Sequence, residues 1–208
     1  MKSRRLWLWL IAAFAYVAFA LWYTNLSGPL TEEEISAFVQ RAESGDVPTE
    51  RIAMIRKFME EDTGNQFIMV NNLDMAESPP ELPATGPGAS ASELIDHYME
   101  HMYPAQFKRA SHPVFFGNAV APAMDVTGIE NAEVWTQGAL FRYRSRRDVL
   151  AISTDPRFAE RHEYKMAALD KTIAYPVEAI LYPNDLRILL ALILFSTVSL
   201  IDLIVYRR

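Results

Sequence analysis

The apolar residues of the chain are concentrated in two runs, one near each end. Residues 6–23 contain no charged side chain, and residues 188–206 contain only Asp202. Helices of this length approach the roughly 30 Å thickness of a hydrocarbon core. The pattern therefore predicts two membrane-spanning helices, one in an N-terminal anchor over residues 1–26 and one in a C-terminal segment over residues 183–208.

Basic residues flank both apolar runs: Lys2, Arg4 and Arg5 precede the first, and Arg207 and Arg208 follow the second. The positive-inside rule then predicts an inner (plasma) membrane protein with both termini cytoplasmic and the central domain extracytoplasmic. Ala18, Phe19 and Ala20 also resemble a signal-peptide cleavage site, so a cleaved leader is the alternative to a retained anchor. Asp202 lies near enough to the end of its run to reach the interface or pair with Arg207 or Arg208, the alternative being a buried functional acid.

After the first run, the pattern changes to helical periodicity. Thr31 and Glu34 have the spacing of a capping box, apolar residues follow at helical spacing, and Gly45 is expected to end this helix. A second amphipathic helix begins near Pro48. The sequence thus predicts a helical hairpin over residues 27–64, with one apolar side and one charged side.

The central part alternates between strand and helix patterns. Strands are predicted at residues 66–73, 114–120, 132–144 and 172–181, and helices at residues 90–103 and 146–170, the latter in two pieces. The order βαββαβ predicts an α+β, ferredoxin-like domain over residues 65–182, in which both helices cover one face of a four-stranded antiparallel sheet. A proline-rich loop over residues 75–91 is expected to be a lid, a docking strap or disordered.

Composition excludes several classes of function. The 208-residue chain has a formal net charge of -6, which argues against a nucleic-acid partner because DNA and RNA binding require a basic surface. The absence of cysteine excludes disulfides, thiolate metal sites and cysteine nucleophiles. No phosphate-binding loop or hydrolase signature occurs, and the sequence predicts no cofactor.

Residues 135–158 and 162–177 resemble the second half of the dimeric alpha-beta barrel proteins, in particular their small bacterial members of unknown function. In those proteins a strand that ends in an aromatic residue and a serine leads into a helix, and an Asp-Pro step opens a second helical stretch. The resemblance covers residues 67–177. It implies a homodimer in which two open sheet faces enclose a small cavity, with the helices away from that cavity. Because the superfamily includes haem enzymes, cofactor-free monooxygenases and isomerases, the resemblance leaves the chemistry open.

Side chains on the predicted strands are the best candidates for a ligand pocket. Alternation places one set of residues on each face of the sheet, without specifying which set faces the cavity. The candidates are polar or aromatic residues, the usual composition of a small-molecule site: Asn71, Asn72, Trp135, Gln137, Arg142 and Tyr143, with His112 at the mouth as an acid–base group. The alternatives are a core or dimer-interface role for the strand residues and a plain turn at His112.

His97 and His101 lie four residues apart on a predicted helix, a spacing that can bring two imidazoles to one metal ion. No further ligand is evident, so these two residues are weak candidates, and the sequence predicts no metal site.

Three functions remain open at this point. The first is a non-catalytic module: an accessory or assembly subunit of a larger membrane complex, or a binding protein for a small ligand. The second is a membrane-tethered enzyme, a cofactor-poor oxygenase or isomerase that acts on a small hydrophobic substrate. The third, a haem protein, is disfavoured because the strands offer no histidine ligand.

Overall fold

A computed structural model describes residues 2–43 and 47–206 of the chain. In this part of the chain seven helices and four strands follow one another. They are α1 (Lys2–Tyr23), α2 (Glu32–Glu43), α3 (Thr49–Glu60), β1 (Phe67–Met75), α4 (Ala91–Lys108), β2 (His112–Asn118), β3 (Gln137–Tyr143), α5 (Arg146–Ser153), α6 (Pro156–Ala167), β4 (Leu169–Val177) and α7 (Leu186–Tyr206). The chain divides into two compact units, a terminal unit of Met1–Leu26 with Ala179–Arg208 and a central unit of Ser27–Glu178.

The terminal unit is an antiparallel pair of the two apolar helices. Near one end, an Arg5 nitrogen of α1 lies 2.7 Å from a carboxylate oxygen of Asp202 in α7. Near the other end, the Arg187 guanidinium of α7 donates to the Thr24 hydroxyl at 2.9 Å. Both helices are long and apolar enough to cross a membrane, by length and composition alone. The pairing of these helices, which the sequence left open, therefore occurs within one chain.

The ion pair with Arg5 differs from the predicted partners of Asp202. Arg207 and Arg208 lie outside the described residues, as does Gly45, the predicted end of α2. The antiparallel arrangement explains why Arg5 is available, because it brings the first turns of α1 beside the last turns of α7.

The central unit contains the predicted α+β domain. Its four strands form one antiparallel sheet in the order β2-β3-β1-β4. Helices α4, α5 and α6 pack on one face of this sheet, and their apolar side chains join those of β1 and β3 in the main core. Helix α4 begins with a complete capping box, in which Ser90 and Glu93 bond each other's backbone N–H groups. Ser145 and Asp155 are the N-caps of α5 and α6, and each side chain accepts a hydrogen bond from a backbone N–H of its helix.

Two predicted strand boundaries need correction. Strand β3 begins at Gln137 rather than residue 132, because the positive φ of 54° at Asn131 interrupts the extended backbone. Strand β4 runs over Leu169–Val177 rather than residues 172–181, directly after α6. Helix α4 also continues past Pro104 to Lys108, one turn beyond the prediction.

The predicted helical hairpin packs through its apolar side. Ile35, Phe38, Val39, Ile52 and Met59 form a second core cluster, against which Leu150 of α5 packs. The Arg147 guanidinium of α5 donates a hydrogen bond to the Glu34 carboxylate at 2.6 Å. The pKa of the Glu34 carboxyl is lowered to about 2, and this hydrogen bond is the largest cause. The hairpin is therefore fixed to the helical layer of the central unit by apolar contacts and by an ion pair.

The proline-rich loop is held against the central unit. Leu82 packs on the main core and forms a bridge with Gly86, and the Ala84 N–H donates to the Tyr164 hydroxyl at 3.0 Å. The loop is therefore in contact with helix α6. Its role as a lid or as a docking strap stays a prediction.

Candidate functional site

A cavity of about 310 Å³ lies between the helices and the sheet of the central unit. Its floor consists of odd-numbered residues of β1 and β3, and its walls come from α4, α5 and α6. The cavity therefore lies on the helix-covered face. The cavity that the resemblance implies lies on the opposite face of the sheet, away from the helices, and stays a prediction. A second cavity between two open sheet faces would require a partner chain.

The sequence explains why the two layers do not close over this space. Ala139 and Ala174 lie on the floor, where their methyl groups fill little of the distance to the helices. Met99 and Met102 of α4 lie above them, and Phe141 and Phe158 complete an apolar lining. Small residues opposite flexible ones leave a space of the size that small-molecule sites have, roughly 300–1,000 Å³.

Asn71 and Lys165 form a polar group in this apolar lining. The Asn71 side-chain amide donates to the backbone oxygens of Met69, at 3.2 Å, and Ala139, at 3.4 Å. These bonds turn its amide oxygen towards the Lys165 ammonium, 3.5 Å away. The Tyr98 ring centre lies 6.0 Å from the same ammonium. Burial lowers the pKa of Lys165, because the low-dielectric surroundings disfavour the charged form.

His162 lies one turn before Lys165 on α6 and also lines the cavity. Its ring stacks on Phe158, with the two ring centres 4.9 Å apart. Its Nδ1 is buried and has no hydrogen-bond partner among the described residues. Burial lowers the pKa of His162, and the positive charges of Lys165 and Arg51 lower it further. A neutral imidazole in this position can accept a proton.

Gln106 and Tyr143 form a second polar group. The Gln106 side-chain nitrogen donates to the Tyr143 hydroxyl at 3.0 Å, and both residues are buried. The Gln106 oxygen has no partner within residues 2–43 and 47–206. Burial raises the pKa of the Tyr143 hydroxyl, and the hydrogen bond from Gln106 lowers this pKa by a smaller amount. Both residues line the cavity and can bond a polar ligand atom.

The structure brings two of the sequence-predicted pocket residues, Asn71 and Tyr143, into one cavity. Arg142, on the opposite face, is fully buried, and its guanidinium donates to the Gln66 side chain and the Ala110 backbone oxygen. Asn72 lies on the same face as Arg142, opposite Ile173 in the register of β1 and β4. The structure thus divides the predicted pocket residues between the two faces of the sheet.

The other candidates lie at the edges of the sheet. Trp135 precedes β3 and donates from its ring nitrogen to the Ala132 backbone oxygen at 2.8 Å, and Lys171 lies 5.1 Å from its ring centre. Gln137 bonds the Asn118 side chain at 3.2 Å. The His112 Nδ1 lies 2.9 Å from the Pro113 backbone oxygen. None of these three is among the described residues that line the cavity.

The two helical histidines lie apart from the cavity lining. His97 packs on the Tyr164 ring at 4.4 Å, and its Nδ1 lies 3.6 Å from Glu100. The His101 Nε2 is buried without a hydrogen-bond partner in the described part of the chain. Within residues 2–43 and 47–206, no group of three or more histidine, aspartate or glutamate side chains could hold a metal ion.

Sequence reasoning missed most of the polar residues in the cavity lining, among them Tyr98, Gln106, His162 and Lys165. A helical-spacing signal was available for each. Tyr98, Met102 and Gln106 follow one another at four-residue intervals on α4, and Phe158, His162 and Lys165 have an i, i+4, i+7 spacing on α6. Polar residues that continue an apolar stripe point towards the interior, so both helices could have been assigned to a ligand site.

Solved structures with a similar fold exist, whereas no protein-family model and no curated protein sequence matches the chain. A protein of unknown function from Rhodopseudomonas palustris matches with 17% identity and a TM-score of 0.51, covering 66% of this chain and 97% of its own. The methylated form of that protein gives 18% identity and a TM-score of 0.52, covering 67% and 96%. A dimeric ferredoxin-like protein of unknown function from Jannaschia sp. CCS1 has 13% identity and a TM-score of 0.36, covering 55% of this chain and 100% of its own. This likeness is too weak to support an argument about assembly. About two thirds of the chain is therefore similar in fold to the protein from Rhodopseudomonas palustris.

Proposed function

We propose that this protein is a membrane-tethered binding module for a small, mainly apolar molecule, which occupies the cavity between the sheet and helices α4 to α6. The observation that carries the proposal is the cavity itself, about 310 Å³ in volume and lined by apolar side chains with a few polar atoms. This is the usual composition of a small-molecule site. The two apolar terminal helices support the tether.

The proposed topology places both termini in the cytoplasm and the central unit outside the inner membrane. The antiparallel pairing of α1 and α7 supports it, because a hairpin that spans a bilayer leaves both of its free ends on one side. The basic residues near these ends favour the cytoplasmic side. An accessory or assembly role in a larger membrane complex stays a prediction, which co-purification of other polypeptides would support.

Phenylbutanol is a suitable first probe, because it is small, neutral and soluble and combines an aromatic ring with one hydroxyl. We expect saturable binding to the full chain in phosphatidylcholine nanodiscs, with a Kd below about 1 mM and one site per chain. Isothermal titration calorimetry measures it, with empty nanodiscs as the blank. Heats that match those of the empty discs would contradict the proposal.

A second candidate function is catalysis on the same apolar ligand, by an oxygenase or isomerase that needs little or no cofactor. It is favoured by His162 and Lys165, two basic groups on the cavity wall whose pKa values are lowered by burial. Mass spectrometry of a ligand recovered after incubation separates the two functions. An altered ligand favours the enzyme, and an unchanged ligand favours the binding module.

The uncovered face of the sheet supports a homodimer. Phe115, Tyr175 and Val177 lie on this face, and 54%, 46% and 36% of their surfaces are exposed. Val70, which is half-buried, lies between them in the sheet, whereas Ile68 on the same face is already buried within the chain. A second copy that contributes the same face would remove this apolar surface from water.

A charge on this face is expected to separate the dimer. Because Tyr175 would be desolvated there, Tyr175→Glu should convert the dimer to a monomer, as measured by light scattering coupled to size-exclusion chromatography in detergent. The control is Tyr103→Glu, an exposed tyrosine on α4 rather than on the sheet. A wild-type monomer, or an unchanged dimer in the Tyr175 variant, would contradict this interface.

A further inference from the structure

The polar groups of the cavity are separated along the sheet. Asn71 and Lys165 lie together near the middle of β1, whereas Tyr143 is opposite Phe67, four residues earlier on that strand. At about 3.3 Å per residue this separation is about 13 Å. The lining between the two polar groups includes Met69, Phe141 and Met102. An elongated ligand with an apolar body fits this arrangement, with a polar atom near Lys165.

Lys165 forms no salt bridge with any aspartate or glutamate among the described residues, whereas Arg146 and Arg147 of α5 both do. The nearest acceptor to its ammonium is the Asn71 amide oxygen at 3.5 Å, a long hydrogen bond to a neutral group. A largely buried cation in this setting gains more from an anionic partner than an exposed cation would.

The site around the ammonium is also held in place. Both hydrogen bonds from the Asn71 amide nitrogen go to backbone oxygens, which fixes its oxygen on the Lys165 side. Lys165 itself projects from helix α6, which packs against α4. Groups fixed before the ligand arrives lose little conformational freedom on binding.

From this geometry we infer that the ligand is an apolar monocarboxylic acid, whose carboxylate accepts a hydrogen bond from the Lys165 ammonium while its apolar body extends over Met69 and Phe141. The inference rests on the proposed function, because it names the class of molecule that the cavity binds. Asp96 also contributes to the lining, but it is exposed, so water screens its charge from a carboxylate at Lys165.

Three probes with the same apolar body test the inference: phenylbutyrate, phenylbutanol and phenylbutylamine. Titration calorimetry uses the full chain in phosphatidylcholine nanodiscs. We expect phenylbutyrate to bind roughly 10- to 100-fold more tightly than phenylbutanol, since hydrogen bonds to charged groups contribute about 1.5–3 kcal/mol. Phenylbutylamine should bind most weakly, because its ammonium would approach that of Lys165.

Lys165→Met should abolish the preference for the acid, so that phenylbutyrate binds this variant no more tightly than phenylbutanol does. Methionine has a similar length and no charge, and replacing a buried charge by an apolar group is often neutral for stability. The matched control is Lys57→Met, which changes an exposed lysine of α3 and should leave all three affinities unchanged.

The outcomes separate this inference from the proposed function. Equal binding of acid and alcohol, or an acid preference that survives Lys165→Met, would overturn the carboxylate assignment and leave the binding cavity intact. Failure of all three probes to bind would overturn the binding module as well. A preference for the acid that disappears only in the Lys165 variant supports both.

Discussion

Ala139→Phe is expected to weaken phenylbutanol binding at least about 100-fold. In the titration described above, this variant should therefore show no measurable binding. Ala139 lies on the cavity floor with 1% of its surface exposed, between Asn71 and Phe116 in the sheet register. A benzyl group at this position projects towards the helices, because side chains of one strand alternate between faces. It would occupy the space that the ligand needs. Titration calorimetry on the full chain in nanodiscs measures the effect.

The neighbouring residue supplies the control. Leu140→Phe introduces the same side chain on the same strand, but Leu140 is opposite Val70 and Phe115 on the uncovered face. This variant should bind phenylbutanol as wild type does. The cost of overpacking is commonly about 1–3 kcal/mol, so near-UV circular dichroism should show that both variants remain folded. Unchanged binding in folded Ala139→Phe would place the ligand elsewhere.

The contrast between these two residues also marks the limit of sequence reasoning. Alternation correctly separated Asn71 from Asn72 on β1 and Tyr143 from Arg142 on β3, because a strand imposes a period of two on its side chains. It gave no indication of which face would hold a cavity. The position of the cavity depends on the distance between the sheet and the helices. This distance is set by small residues such as Ala139 together with the lengths of the opposing side chains.

The helical contributions were harder to predict for a related reason. Lys165 and His162 are ordinary polar residues in the sequence, and only the packing of α6 on α4 makes them largely buried. Trp135 was assigned to a strand, whereas β3 begins two residues later, at Gln137, and the positive φ of Asn131 interrupts the extended backbone before it. Local pattern identified the elements well, and tertiary contacts decided what each polar side chain faces.

Arg142, a pocket candidate from the sequence, has contacts that give it a stabilising role. Its guanidinium is 0% exposed and donates from Nε to the Gln66 side-chain oxygen at 2.9 Å and from Nη1 to the Ala110 backbone oxygen. Ala110 lies in the turn between α4 and β2 and has a positive φ of 51°. The side chain therefore connects β3 to this turn and to the residue that precedes β1.

Arg142→Met should destabilise the central unit by about 3 kcal/mol, because it removes hydrogen bonds from a charged donor and leaves the Ala110 oxygen without that donor. For a unit of this size the melting temperature should fall by about 6–12 °C. Thermal near-UV circular dichroism of the full chain in mild detergent measures the change.

Arg157→Met is the matched control for this change. The Arg157 side chain is 71% exposed, and its ion pair is with Asp155, two residues before it. An exposed pair of this kind contributes little, so the variant should melt within about 2 °C of wild type. If Arg142→Met instead kept the wild-type melting temperature and lost affinity for the probes, the side chain would belong to a ligand site on the uncovered face. The bonds to Gln66 and Ala110 would then be exchangeable for bonds to a ligand.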